Sequence, residues 1–210
     1  MPLKSRKFGI EIEVFINDLE ELKSKLEQYN IPYIYVEKGK EVYYDKVKLT
    51  RDSSLFKHER TSNLKGIELD LPPSEDYILL EKICNILQEI NAKPIYNCAL
   101  HIHMDCTDLE EIDVKRFYLF YKKNENSIKE LVKQIQPNND FKLNRDVNTI
   151  RYFFEEIKTK VPRFYNLNIK SYYRIKTVEH RIFSGTINFD EIKKCVELTQ
   201  NIFNKGVNLC

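Results

Sequence analysis

The chain has 210 residues, 42% hydrophobic, 31% charged and 12% aromatic, a composition that reads as one globular domain over 1–210 with a sizeable core. Its 34 basic and 32 acidic residues nearly cancel, so a net charge of +2 offers no general attraction for nucleic acid or a membrane surface, and neither is expected as a partner. No apolar run approaches the roughly 18 residues of a membrane span. Five cysteines (Cys84, Cys98, Cys106, Cys195 and Cys210) without C-x-x-C spacing argue against a disulfide framework and a structural zinc site. Glu11 and Glu13 interrupt any signal-peptide core, so a cytoplasmic setting is expected.

In chain order, the hydrophobic pattern predicts a strand over 6–16 and an amphipathic helix over 17–30. Strands follow over 33–38 and 41–51, turned by Lys38-Gly39-Lys40. A loop from Ser53 to Lys65 leads to a strand over 66–71, which Pro72-Pro73 should stop. Ser74 then caps a helix whose Leu79, Ile83, Ile86, Leu87 and Ile90 keep helical spacing. A strand over 99–105 comes next, and Thr107-Asp-Leu-Glu110 reads as a capping box opening a helical region to about Gln136. A helix over 146–160, a strand pair near 171–183 and a last helix capped by Asn188 complete the chain. On that last helix Ile192, Cys195, Val196, Thr199, Ile202 and Phe203 share one face. The expected class is α+β, an antiparallel sheet with helices on one side and the other face left for a site.

Three of these strands carry charged or metal-binding side chains on one face, because successive strand residues point to opposite sides. Glu11 and Glu13 oppose Phe8, Ile10, Ile12 and Val14. His101, His103 and Asp105 oppose Leu100, Ile102 and Met104, and Glu179 and Arg181 oppose Val178, His180 and Ile182. Glutamates are disfavoured in strands, and carboxylates gathered on one face repel unless a cation joins them. Carboxylate oxygens suit Mg2+ or Mn2+. The histidine pair allows a zinc or iron site made of both imidazoles and a carboxylate, hence a metal-dependent hydrolase, or one imidazole on a glutamate-ligated metal with the other on substrate. Arg181 suits bidentate phosphate binding. Glu68 shares its strand face with Asp70, while Asp52 and Glu59 lie upstream and could extend the acidic cluster. Arg145, Arg163 and Arg174 are scattered, although Arg163-Phe-Tyr-Asn-Leu-Asn168 is a dense polar-aromatic run. Five glycines leave little room for a phosphate-binding glycine loop, and no cysteine has an activating local context.

Taken in order, Phe8-Gly-Ile-Glu-Ile-Glu13, Gly66-Ile-Glu68, Leu100-His-Ile-His-Met-Asp105, Arg163 to Asn168 and Thr177-Val-Glu-His-Arg-Ile-Phe-Ser-Gly-Thr186 resemble the amidoligases. These are carboxylate–amine ligases of the glutamine synthetase and glutamate–cysteine ligase fold. Ala99 departs from the pattern, standing where the family often has glycine. The resemblance implies a curved antiparallel sheet whose concave face binds ATP and two or more Mg2+ (or Mn2+) ions. Carried over by motif, Glu11, His101 and Glu179 hold the metal near the γ-phosphate, and Glu13 and Glu68 hold the other. The third ligand of that second metal is open among Glu59, Glu68 and Asp52. Arg181 and Arg163 contact the transferring phosphoryl group, and Arg174 and Arg145 are further candidate nucleotide contacts. Asp52 or His103 helps deprotonate the amine. The implied activity is amide-bond formation between small-molecule or peptide carboxylate and amine substrates through an acyl phosphate. The rival readings are the hydrolase and a non-catalytic nucleotide-binding module. The short chain also raises a homo-oligomer, or a protein substrate, as the source of part of the site. Abundant Lys, Asn, Ile, Tyr and Phe suggest a phage or bacterial genome.

Overall fold

The computed structural model describes residues 6–36, 45–51, 55, 63–95, 98–139 and 166–208. Within them lie seven strands, β1 (Phe8–Ile16), β2 (Tyr33–Val36), β3 (Val47–Thr50), β4 (Lys65–Ser74), β5 (Ala99–Asp105), β6 (Leu167–Asn168) and β7 (Thr177–Ser184). The six helices are α1 (Leu19–Gln28), α2 (Ile78–Glu89), α3 (Glu111–Lys123), α4 (Glu125–Ile135), α5 (Lys170–Ile175) and α6 (Phe189–Asn208). The fold is mixed α+β, and the strands form one mostly antiparallel sheet in the order β2-β3-β4-β1-β5-β7-β6. The three motif-bearing strands, β1, β5 and β7, are consecutive in that order. The chain divides into two compact units, one of Gly9–Leu100 with Ser184–Lys194, the other of Met1–Phe8, His101–Phe183 and Cys195–Cys210.

In the first unit, Asp18 caps α1 by accepting a hydrogen bond from the Glu20 amide at 3.1 Å, as an Asp with extended backbone does at a helix start. Helix α1 buries Leu22 and Leu26, and α2 buries Leu80, Ile83, Cys84, Ile86 and Leu87. Lys25 of α1 reaches Glu89 of α2 at 2.7 Å, and Tyr29 donates to the same carboxylate. Phe15 exchanges backbone hydrogen bonds with Lys93 and packs with Leu55 and Cys98 in a small apolar cluster.

Three expectations fail in this unit. Strands β2 and β3 pair in parallel, Tyr33 opposite Val47, so they do not form a hairpin; the expected turn lies outside the described residues. A parallel pair needs a crossover that turn residues alone do not signal. Strand β4 runs through Pro72-Pro73 to Ser74. Its register with β3 reaches Asp70, opposite Lys48, so the prolines interrupt none of that pairing. Ser74 does not cap α2; its hydroxyl accepts from the Asp76 amide, Asp76 accepts from the Ile78 amide, and Tyr77 starts the helix.

The second unit is built on aromatic packing. Phe117 of α3 lies 4.6 Å from Phe203 of α6 between ring centroids and 5.9 Å from the His180 ring, which lies 5.7 Å from Tyr121. The capping box exists but sits three residues later than expected, between Glu110 and Asp113, because Thr107 is engaged by Asp105. The helical region is two helices, broken at Asn124, whose side-chain amide donates to the Phe120 carbonyl at 2.8 Å. The expected strand pair near 171–183 is the short β6, the helix α5 and then β7. The expected helix over 146–160 lies outside the described residues. The amphipathic face of α6 is as read from the sequence, all six of its residues being buried.

Gly185 donates its amide to the Cys98 carbonyl at 2.9 Å, and a Cβ there would lie 2.7 Å from the Cys98 Cβ. Gly185→Ala should therefore lower stability by about 1–3 kcal/mol in chemical denaturation, the usual cost of forced overpacking. Burial first, with His103 adding to it, pushes the His180 pKa down to about 3. The unfolded chain takes up this proton near the ordinary value of about 6.5, while the folded state refuses it until about 3, so His180 costs stability as pH falls through that window. Replacing His180 with Phe should lessen the drop in denaturation midpoint between pH 7 and pH 5 relative to wild type.

Candidate active site

On β5 and β7 the strand alternation buries both faces. Glu179 is 4% exposed, His101 2% and His103 8%, so these polar side chains sit in an interior and not on a solvated face. A buried carboxylate needs compensating donors. Within the second unit Glu179 has them on both oxygens. Asn168 Nδ2 donates to Oε2 at 2.6 Å, and Arg181 Nη1 donates to Oε1. The His101 Nδ1 lies 3.6 Å from the same Oε1. Arg181 Nη1 also lies 3.3 Å from His101 Nδ1; a guanidinium only donates, so this nitrogen accepts and the His101 proton belongs on Nε2. His103 Nδ1 pairs instead with the Thr177 hydroxyl at 2.9 Å. Asp105 does not join these histidines. Its carboxylate accepts from the Thr107 amide and hydroxyl at 3.0 and 3.1 Å, ending β5.

The first unit holds a second charged group. Glu13 is buried and accepts a hydrogen bond from the Ala99 amide at 2.8 Å, an interaction available with the alanine in place of the family's usual glycine. Lys48 of β3 pairs with Asp70, its register partner on β4. Burial works to lower the Lys48 pKa, but Asp70, then Glu68 and Glu11, more than offset it, and the value is raised. Burial and the charge of Glu11 lift the Asp70 carboxyl above the usual aspartate range against the pull of Lys48. Asp70 Oδ1 is buried without a hydrogen-bond partner. Asp70 and Lys48 were not among the site residues expected from the sequence. The signal for Asp70 was its place two residues after Glu68 on one strand face; Lys48 joins it only through the β3–β4 register.

Of the remaining expected residues, Arg174 is exposed on α5, whereas Asp52, Glu59, Arg145 and Arg163 lie outside the described residues. Among the described residues no helix is long and apolar enough to cross a membrane. The acidic and imidazole motifs of β1, β4 and β5 all fall within a stretch, residues 4–152, that matches a family model described as "Putative amidoligase enzyme". The chain belongs to the amidoligase family. That membership gives a ligase-type enzyme as the coarse reading of its activity. No curated protein and no solved structure matches the chain.

Glu179 and Arg181 are hydrogen-bonded partners, the carboxylate buried and the guanidinium partly so. Removing one partner of a buried pair leaves the other uncompensated, which costs more than removing both. Arg181→Met should lower the thermal midpoint, and the double variant Glu179→Gln with Arg181→Met should recover part of the loss. A double-mutant cycle is expected to give a coupling of about 1–3 kcal/mol.

Proposed function

We propose that the chain is an ATP- and Mg2+-dependent carboxylate–amine ligase on a glutamine synthetase-like sheet, forming an amide bond through an acyl phosphate. The observation that carries this reading is the buried cluster on β5 and β7, with Glu179 held from two sides and Arg181 and two imidazoles around it, in a chain of amidoligase membership. Such a cluster is costly as mere structure and suits a site that handles anions and hard cations.

The donor set fits a divalent cation. Within the second unit His103 and Glu179 are residue types that could ligate a metal ion, and the family motif proposes Glu11 as a further ligand. In this reading His103 takes the ligand role that the motif carry-over assigns to His101, whose Nδ1 is engaged by Arg181. Glu13 and Glu68, with Asp70 beside them, would serve a second cation. A cation bound there would neutralise the anionic oxygens of nucleotide and acid, so that two negative reactants can meet.

The chain's own groups supply the rest. Arg181 would turn its guanidinium to the transferring phosphoryl group, where charge develops in the transition state. His101, accepting from Arg181, would keep that guanidinium aimed. The buried setting of Glu179 within the second unit would limit bulk water beside it, favouring attack on the acyl group by an amine. The amine would lose its proton to Asp52, since His103 is assigned to the cation. The substrates are then a small-molecule or peptide carboxylate and an amine, and a second copy of the chain or a protein substrate would complete the site.

A screen of amino acids and small amines with ATP and Mg2+ should reveal a pair that releases ADP and phosphate in equal amounts with the amide product. Glu179→Gln should reduce that turnover by at least about 100-fold with an unchanged circular dichroism spectrum. Removing the divalent ion with chelator should abolish nucleotide binding in calorimetry. Nucleotide binding indifferent to Mg2+, or absent altogether, would sink the proposal.

A further inference from the structure

Ten residues, Asn168 to Thr177, carry the chain from the end of β6 to the start of β7 within the second unit. They form the six-residue helix α5, closed by Lys176 in the left-handed region at φ 55°. A non-glycine residue there is uncommon and is held by its surroundings. The Lys176 amide donates to the Tyr172 carbonyl, and its carbonyl accepts from the Cys106 amide. The Ser171 hydroxyl spans the closure, 2.9 Å from the Asn168 carbonyl and 2.7 Å from the Thr177 carbonyl. The two ends it joins are the two residues whose side chains reach Glu179 and His103.

The orientation of Asn168 is settled by its neighbours. Its Oδ1 accepts from the Lys170 amide at 3.0 Å, which leaves Nδ2 to donate to Glu179 Oε2 at 2.6 Å. The amide thus presents a donor and not an acceptor to the carboxylate. At His103, engagement of Nδ1 by Thr177 leaves ligation to Nε2. Outer partners of this kind fix the orientation and tautomer of metal ligands.

We propose that Asn168 and Thr177 are positioning residues for the cation site: Asn168 sets the plane of the Glu179 carboxylate, Thr177 sets the His103 ring, and Ser171 ties the two together. This rests on the metal reading above and extends it to residues outside the ligand set. Asn168 is a donor by necessity, because an acceptor in its place would set two carboxylate oxygens against each other. The direction of this effect is opposite to that of a packing role. Asn168→Asp keeps the shape of the side chain and its bond from Lys170, whereas Asn168→Ala loses both.

The test is Mn2+ binding alone, followed by electron paramagnetic resonance of the free ion, with thermal melts as a folding control. Wild type should bind, and Asn168→Asp should weaken binding by about 10- to 100-fold, more than Asn168→Ala does, while staying folded with a melt below wild type. Thr177→Val should weaken binding by about 10-fold, and Thr177→Ser should restore it. If Asn168→Asp does not fold, the Thr177 pair decides the matter. Wild-type affinity in Asn168→Asp or in Thr177→Val, or an alanine variant worse than the aspartate, overturns the positioning roles and leaves the metal reading standing. Absence of Mn2+ binding by wild type overturns both.

Discussion

A buried carboxylate in the middle of a β-strand is the constraint that organises the second unit. Moving an ionised Glu179 out of water costs several kcal/mol unless charged and dipolar donors replace the lost hydration. Arg181 alone would meet only one oxygen. The second oxygen is met from β6, a strand of two residues whose pairing with β7 places Asn168 opposite Glu179. The small helix α5, its left-handed closure and the Ser171 bridge keep that register. Elements that look minor in length are therefore the ones that make the charged strand tolerable.

The same alternation is stabilised from its other face. His180 points away from Glu179 and Arg181 along β7 and packs against the rings of Phe117 and Tyr121. Its Nε2 and the Tyr121 hydroxyl are both buried without hydrogen-bond partners. The strand thus carries polar atoms on both faces, one set compensated by charge pairing and the other left neutral by desolvation. In the first unit the problem is solved differently. Glu13 takes a backbone amide, and Asp70 takes the ammonium of Lys48 while Glu11 works against its ionisation. Acid residues in these two strands are held by separate devices, as groups with separate roles would be.

Several features were readable in the chain itself because they depend on near neighbours. Period-two alternation located β1, β5 and β7. Helical spacing located α6 and the six buried residues of its amphipathic face. Errors came where one local hydrogen bond competes with another. Thr107 is drawn off by Asp105, so the helix starts at Glu110, and Ser74 ends a strand instead of capping a helix. Two prolines failed to stop β4 because its pairing with β3 does not extend to them. The parallel pairing of β2 with β3 left no local trace, since register between strands is written in long-range contacts.

Residue order alone determined the family, through the glutamates of β1 and β4 and the histidines of β5 that lie within the matched residues 4–152, and it determined the donor chemistry of Glu179 and Arg181 beyond that stretch. Those properties reside in covalent spacing and side-chain type. Tertiary structure decided which partner each group has: that Arg181 engages His101, that Thr177 takes His103, that Asn168 takes Glu179 and that Lys48 joins Asp70. Hydrogen bonds reach only about 3 Å, and residues 80 positions apart come within that range only when the chain has folded.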